Sequence, residues 1–200
     1  MIYVVSGPSG CGKSTLIRRV IDELGNARFA VSHTSREKRD GEIEGKDYHF
    51  VSRDVFRKMI RAERFVEWAL VHGEYYGTSR KELAGAKSKD IVLDIDVQGA
   101  RQIRRKVPSA VFIFVLPPSY GDLKRRIKRR GQDRAEAVRA RMVTAREEVK
   151  ACSSFDYIVI NDDLALAAAE LGSILNCRRA LRSAREEAVR PILKSFRVKR

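Results

Sequence analysis

Cysteine is scarce in this chain of 200 residues: Cys11, Cys152 and Cys177 are odd in number and far apart. No C-x-x-C pair and no neighbouring histidines accompany them, which excludes a disulfide framework and a zinc cage and points to a reducing cytoplasm. Long apolar runs are also missing. The longest, Ala110 to Leu116, is far too short to span a bilayer, and no basic segment precedes an apolar stretch at the N-terminus, so neither a membrane span nor a signal peptide is expected. Acidic residues are in deficit, 26 against 41 lysines and arginines, for a formal charge of +15. A polyanionic partner is the first inference from such a balance. Yet the excess is clustered: residues 121–150 hold eleven basic and five acidic side chains, and residues 178–200 hold nine and two. A site for small phosphorylated ligands accounts for the first cluster and leaves the second unexplained.

With 44% hydrophobic residues the chain can bury a core, and its length suits one compact domain with small inserted lobes. Ile2 to Ser6 is a β-branched and aromatic run that ends in a glycine-rich turn, and Lys13 to Leu24 carries Leu16, Ile17, Val20 and Leu24 at helical spacing. Short continuous apolar runs recur at Ile91 to Ile95, Val111 to Leu116 and Tyr157 to Ile160, each followed by a helix-like segment. Such runs belong to strands buried on both faces, so the fold class is α/β, a parallel sheet flanked by helical crossovers. Phe29 to Gly77 breaks the pattern. Strand-like pieces at Phe29 to Thr34, Tyr48 to Val51 and Val66 to His72, turns at Asp40-Gly41 and Glu44-Gly45, and a helix near Arg53 to Arg61 predict an inserted mixed α+β lobe. Asp122 to Arg130 and Ala135 to Lys150 read as two basic helices joined at Gly131, the second striped by Val138, Met142, Ala145 and Val149, which suits a mobile lid. The expected division is a core of residues 1–31, 80–120 and 151–177, a lobe of 32–79, a lid of 121–150, and a basic helical extension of 178–200.

Gly7-Pro8-Ser9-Gly10-Cys11-Gly12-Lys13-Ser14 matches G-x-x-x-x-G-K-[ST] and lies where that motif works, after a strand and at the opening of a helix. Its glycines let backbone amides turn around phosphate oxygens, Lys13 reaches the β and γ phosphates, and Ser14 ligates Mg²⁺. The motif makes it a P-loop NTPase-type core. Ile91-Val92-Leu93-Asp94-Ile95-Asp96 reads as a strand ending in two carboxylates on one side, Asp94 being the acidic partner of the metal. A plainer reading of the pair, as caps for the helix that begins near Gln98, stays open here.

Further blocks carry a resemblance. Val31-Ser32-His33-Thr34-Ser35-Arg36, then Arg39, Gly41-Glu42, Gly45 and Asp47-Tyr48-His49-Phe50, are similar to the nucleoside-monophosphate segment of the guanylate kinase family. So are Phe65-Val66-Glu67-Trp68, Tyr75-Tyr76-Gly77-Thr78-Ser79, Leu93-Asp94-Ile95-Asp96-Val97-Gln98-Gly99, Arg130-Gly131 and Ile160-Asn161-Asp162-Asp163-Leu164. They follow the family's order and spacing from about residue 2 to about residue 177. The resemblance implies transfer of the γ-phosphoryl group of ATP to GMP, and to dGMP, with Mg²⁺ held by Ser14 and Asp94. ATP is expected on residues Gly7 to Ser14 with Thr15, Arg130 and Asn161. GMP is expected on Ser32, Arg36, Arg39, Tyr48, Glu67, Tyr76, Thr78 and Asp96. Guanine offers an N1–H and a 2-amino donor beside the O6 acceptor, so Glu67 and Asp96 suit the donors while Ser32 and Thr78 stand near O6. Arg36, Arg39, Tyr48 and Tyr76 suit a dianionic phosphate. Lys13, Arg36, Arg126, Arg130 and Arg141 would neutralise charge on the transferred group.

Ser35 and Lys38 depart from the family pattern, as does the less acidic turn Gln132-Asp133-Arg134-Ala135, without removing a proposed ligand. The alternative is a binding module of the same fold that has lost catalysis, against which Gly12, Lys13 and Ser14 stand intact. A nucleic-acid binder would need stacking aromatics not already used elsewhere; no specific nucleic acid and no membrane partner is expected. A kinase for AMP is disfavoured by the carboxylate pair, since adenine has no N1–H. The extension, with Leu181, Ala184, Ala188, Ile192 and Leu193 near one face, reads either as a solubilising helix or as a contact with a second copy. In the absence of nucleotides the lobe and the lid are expected to stand open.

Overall fold

The computed structural model describes residues 1–84, 89–129 and 135–195. Five parallel strands form the main sheet. β1 (Ile2–Ser6) is central and leads through the glycine loop into α1 (Lys13–Leu24) and then β2 (Ala27–Phe29) at one edge. α1 stops at Gly25, whose left-handed backbone (φ 66°) returns its N–H to the Ile21 carbonyl at 3.0 Å. The chain then crosses into a second sheet: β3 (His33–Thr34), β4 (His49–Phe50), α2 (Arg53–Arg61), β5 (Phe65–Val71) and β6 (Glu74–Ser79), in strand order β4-β3-β6-β5. A short α3 (Arg80–Leu83) leads back to β7 (Asp90–Asp94), α4 (Val97–Lys106), β8 (Val111–Leu116), α5 (Tyr120–Arg129), α6 (Ala135–Lys150), a 3₁₀ turn, β9 (Tyr157–Ile160), α7 (Leu164–Arg179) and α8 (Arg182–Ser195). The main sheet runs β2-β7-β1-β8-β9 with every pairing parallel.

The apolar runs are apolar because both faces are covered: Val4, Leu93, Ile113 and Phe114 are fully buried. α1 and α7 pack one face around Leu16, Ile17, Val20, Leu171 and Leu175. α4 closes the other through Ala100 and Ile103. The chain turns from β1 toward β2 on one side, whereas β7 crosses over to β8 on the other. Ligand crevices in such sheets lie at the carboxyl ends of the strands where this reversal occurs, here at β1 and β7.

Two expectations need correction. The predicted single strand from Phe29 to Thr34 is split: Phe29 pairs with Val92 in the main sheet, and His33 pairs with Gly77 in the second. The predicted strand to Asp96 ends at Asp94; Asp96 is instead the N-cap of α4, its Oδ1 accepting from the Gly99 amide at 2.8 Å. The capping reading was therefore right for Asp96, which still faces the cleft described below. β6 was read only as a motif. It pairs antiparallel with β5 through a two-residue turn, His72-Gly73, both with positive φ (51° and 84°), the geometry that matches the twist of a hairpin. Val138, Met142 and Ala145 are buried on α6 as the stripe predicts, with Val149 half-buried.

Among the described residues no helix is long and apolar enough to cross a membrane. The three cysteines are free thiols.

Candidate active site

A cleft of about 540 Å³ opens at the carboxyl ends of β1 and β7, between the glycine loop and the second sheet. On its loop side, the Lys13 ammonium donates to the carbonyls of Gly7 (2.7 Å) and Pro8 (3.2 Å), so the loop closes on its own lysine. Gly7 and Gly12 have φ of 143° and 95°. A Cβ on Gly7 would lie 2.2 Å from the Val115 carbonyl oxygen, and one on Gly12 2.5 Å from Asn161 Nδ2. Only glycine fits this turn at those two points. Ser14 Oγ donates to Asp94 Oδ2 at 2.6 Å, joining the start of α1 to the end of β7. Cys11 is fully buried beneath the loop, and burial pushes its thiol pKa up. The thiol packs and receives one long contact from the Lys13 ammonium at 4.0 Å, while the carbonyl takes the shorter ones.

Across the cleft, Glu67 is 2% exposed, accepting from the Thr78 amide at 2.7 Å. Gly99, in the first turn of α4, leaves room for it: a Cβ there would lie 2.4 Å from Glu67 Oε2. Burial raises the Glu67 pKa to about 7 against the pull of the Thr78 hydrogen bonds, and neighbouring Asp96 adds to the rise. Ser32 and Thr78, both buried, share a 3.1 Å hydroxyl contact. The arginine cluster is built around Arg36, which donates to Glu42 Oε1 at 2.7 Å and lies over the rings of Tyr48 and Phe50 at 5.6 and 5.8 Å. Burial opposes the charge of Arg36, but Glu42 and Tyr76 more than offset it, so its pKa is raised. Glu42 also accepts from the Arg39 amide at 2.9 Å. Thus Ser32, Arg36, Arg39, Tyr48, Glu67 and Tyr76 line one cavity with Gly7, Ser9, Gly10, Gly12, Lys13, Ser14, Thr15, Asp94, Asp96 and Arg141.

A second recess of about 280 Å³ lies behind the loop, bordered by Gly10, Gly12, Thr15, Arg126, Asn161 and Leu164. Asn161 Nδ2 (2.8 Å) and Arg126 (3.2 Å) both donate to the Cys11 carbonyl. Arg126 and Arg141 therefore border different cavities. Arg130 and the turn after it lie outside the described residues. Thr78 underlies the cleft floor, and Pro8 and Cys11 form the loop without lining either cavity. At the rim of the cleft, Arg18 on α1 pairs with Asp47 in the segment of the second sheet.

The sequence reading gave no role to Glu42, Arg18, Asp47 or Glu148. Glu42 and Asp47 lay inside quoted motifs, where a carboxylate amid arginines was the available signal. Glu148 had a different signal, a charge one helical turn beyond the buried Ala145.

A glycine loop with its lysine at a strand end, facing a buried carboxylate and an arginine-tyrosine pocket, is a site for two phosphorylated ligands. The family model described as Guanylate kinase matches residues 1–178. The chain belongs to the guanylate kinase family. It is 44% identical to the guanylate kinase of Carboxydothermus hydrogenoformans over 90% of this chain and 89% of that one. Against the guanylate kinase of Geobacter sulfurreducens it is 45% identical, over 90% and 91%. A crystal structure of the guanylate kinase from Anaplasma phagocytophilum superposes with a TM-score of 0.76 at 33% identity, covering 90% of this chain and 87% of that one. Shikimate kinase from Bacteroides thetaiotaomicron, at 16% identity and a TM-score of 0.52, shares the fold alone. As a member of the guanylate kinase family, the chain is an ATP:GMP phosphotransferase, its substrates ATP and GMP.

Proposed function

We propose that the two walls of the large cleft divide the reaction between them. Gly7 to Thr15, Lys13 among them, hold the donor phosphates, Asn161 flanks the adenine together with Arg130, which lies outside the described residues, and Arg126 serves the transferred group. Glu67 and Asp96 accept from guanine N1–H and its 2-amino group, and Ser32 and Thr78 stand near O6. Arg36, Arg39, Tyr48 and Tyr76 hold the GMP phosphate, and Arg141 meets the transferred group. The observation that carries this reading is Glu67, a buried carboxylate that lines the same cavity as Lys13. A buried carboxylate met within the protein by the Thr78 amide still carries a desolvation cost, and a ligand with paired donors is what offsets it.

The residues also fit a metal. Ser14 Oγ and Asp94 Oδ2 put a hydroxyl and a carboxylate side by side, the hard-oxygen set from which Mg²⁺, completed by water and phosphate oxygens, is usually bound. Bound there, Mg²⁺ would offset negative charge on the donor phosphates. The protein's own part is positioning: Lys13 and Arg141 draw the phosphoryl oxygens, Arg36 and Arg39 fix the acceptor phosphate, and no proton need move before attack. The lobe of 32–79 and the lid of 121–150 exclude water by closing over the two ligands. The free, separated cysteines suit work in the cytoplasm.

A coupled assay of ADP release tests the reading with GMP, AMP, CMP and UMP in turn. Turnover with GMP well above the others, and none after chelation of divalent metal, is expected. Equal rates with AMP would overturn the roles given to Glu67 and Asp96.

A further inference from the structure

β5 is the outer strand of the second sheet, in the order β4-β3-β6-β5, so one edge of its backbone faces away from β6. A strand edge presents amides and carbonyls that must find partners. Here a helix of the core supplies them. The Gln102 carboxamide of α4 meets Trp68 twice, its Nε2 donating to the Trp68 carbonyl at 2.6 Å and its Oε1 accepting from the Trp68 amide at 3.3 Å. One turn further along α4, the Lys106 ammonium donates to the Val66 carbonyl at 2.6 Å. The two brackets stand either side of Glu67, which pairs with Thr78 on β6.

Val66 is also where the strand is irregular. Phe65 pairs with Ser79 and Glu67 with Thr78, so two steps along β5 match one along β6, a bulge with Val66 as the extra residue. Its side chain lies in the main core with Leu93, Ile95, Ala100 and Ile103. A bulge sets which face the next side chain takes, and a slip of one residue would turn Glu67 out of the cleft. On α4 the positions that matter recur at helical spacing: Asp96 caps the helix, Gly99 leaves room for Glu67 Oε2, and Gln102 and Lys106 hold the strand.

We infer that Gln102 and Lys106 are positioning residues for base selectivity: by fastening β5 to α4 on both sides of Glu67, they fix its carboxylate against Asp96 at the separation that guanine's N1–H and 2-amino group require. The inference rests on the reading that these two carboxylates accept from the base. Two acceptors aimed at adjacent donors discriminate only while their spacing is held, because a misplaced acceptor leaves a donor unpaired. The Thr78 amide ties Glu67 to the lobe, whereas the brackets tie it to the element that carries Asp96.

The test compares GMP with inosine monophosphate, which keeps the N1–H and O6 of guanine and lacks the 2-amino group. In the full chain, kcat and KM for both acceptors and for ATP are measured in Gln102→Met, Lys106→Met, Lys106→Arg and Glu67→Gln, each with a thermal melt. The two methionine variants keep the reach of the side chain and lose the hydrogen bonds. Each is expected to raise KM for GMP about 10-fold, with kcat and KM for ATP within about twofold of the parent. The ratio of kcat/KM for GMP to that for inosine monophosphate should shrink by about 10-fold as well. Lys106→Arg, which still donates to the Val66 carbonyl, should keep the parent ratio. A loss shared equally by the two acceptors, or a lowered melt with an unchanged ratio, would overturn the inference, since a merely structural contact behaves that way. So would a ratio in Lys106→Arg as low as in Lys106→Met. If Glu67→Gln itself leaves the ratio unchanged, the reading of the carboxylates fails and the inference with it. If Glu67→Gln lowers the ratio while both methionine variants keep it, the carboxylates stand and only the inference falls.

Discussion

The two walls of the cleft are made in opposite ways. The donor wall is backbone: glycine φ values, loop carbonyls closed on Lys13 and a helix start hung from a fully buried parallel sheet. The acceptor wall is side chains on a small mixed sheet, and they satisfy one another: Arg36 with Glu42, Ser32 with Thr78, Glu67 with the Thr78 amide. Backbone geometry can be held rigid by a core, and it recognises phosphates common to every nucleotide. Discrimination between bases needs a specific set of buried donors and acceptors, which must be partnered when the ligand is away. On the proposed assignment the acceptor wall therefore carries the selectivity, and it holds the titratable Glu67.

The comparison breaks most sharply at an aromatic stack inside the lobe. Phe56 is fully buried, stacked on Phe65 at 4.4 Å and Tyr75 at 5.2 Å. Phe56→Ala should destabilise the lobe by about 3 to 5 kcal/mol. GMP affinity should fall with it, while a non-hydrolysable ATP analogue still binds, as calorimetry with each nucleotide would reveal. Equal loss of both would mean that the walls are not independent. On the other side, Lys13→Ala should lower kcat by about 100- to 1,000-fold with GMP binding retained. A loss of GMP affinity with normal turnover would contradict the assignment of Lys13 to the donor phosphates.

Glu67→Gln is next in size, expected to weaken GMP by about 1 to 3 kcal/mol because one guanine donor is left without an acceptor. It should also change the response to pH. With its pKa raised to about 7, Glu67 keeps its proton in the folded protein at pH values where the unfolded chain, near 4.5, has lost it. The folded state then binds more protons between those values, so stability falls as pH rises through that window, by something on the order of 3 kcal/mol in total from this group. Denaturant melts from pH 4.5 to 8 should show that slope in the parent and lose it in Glu67→Gln. GMP binding favours the ionised form, so it should release a proton near pH 6, detectable as a buffer dependence of binding enthalpy beyond that seen in Glu67→Gln. The smallest effect belongs to the rim: Arg18→Ala removes the ion pair between a half-exposed arginine and Asp47, worth about 0 to 1 kcal/mol, and should alter the rate of GMP association more than stability.

The donor wall was legible in the sequence because its parts are contiguous: eight residues from Gly7 to Ser14 between a strand run and a helix period carry the whole device. The acceptor wall is assembled from residues that span Ser32 to Asp96, and its members were named through the family resemblance of separate blocks. The cleft now gathers them, with the exceptions given above. Hairpin β5–β6 escaped notice as a strand pair because His72-Gly73 is not the usual Asn-Gly turn, though the same positive φ values are met. Asp96 was read with the strand because period-2 alternation does not reveal where a strand ends and a cap begins.

What the sequence determined by itself was the α/β class, the glycine loop with Lys13, the buried strands and the kinds of groups available to meet two nucleotides. These follow from local steric rules and from hydrophobic periodicity, which act on neighbours in the chain. Only the tertiary structure decided which charges neutralise which: that Glu42 holds Arg36, that Arg126 turns to the Cys11 carbonyl while Arg141 stays in the cleft, and that Glu148 borders the same cleft as Lys13. Among 41 basic and 26 acidic residues many pairings are possible in the chain. Coulomb attraction and desolvation depend on distance and burial, and those quantities exist only after the chain has folded.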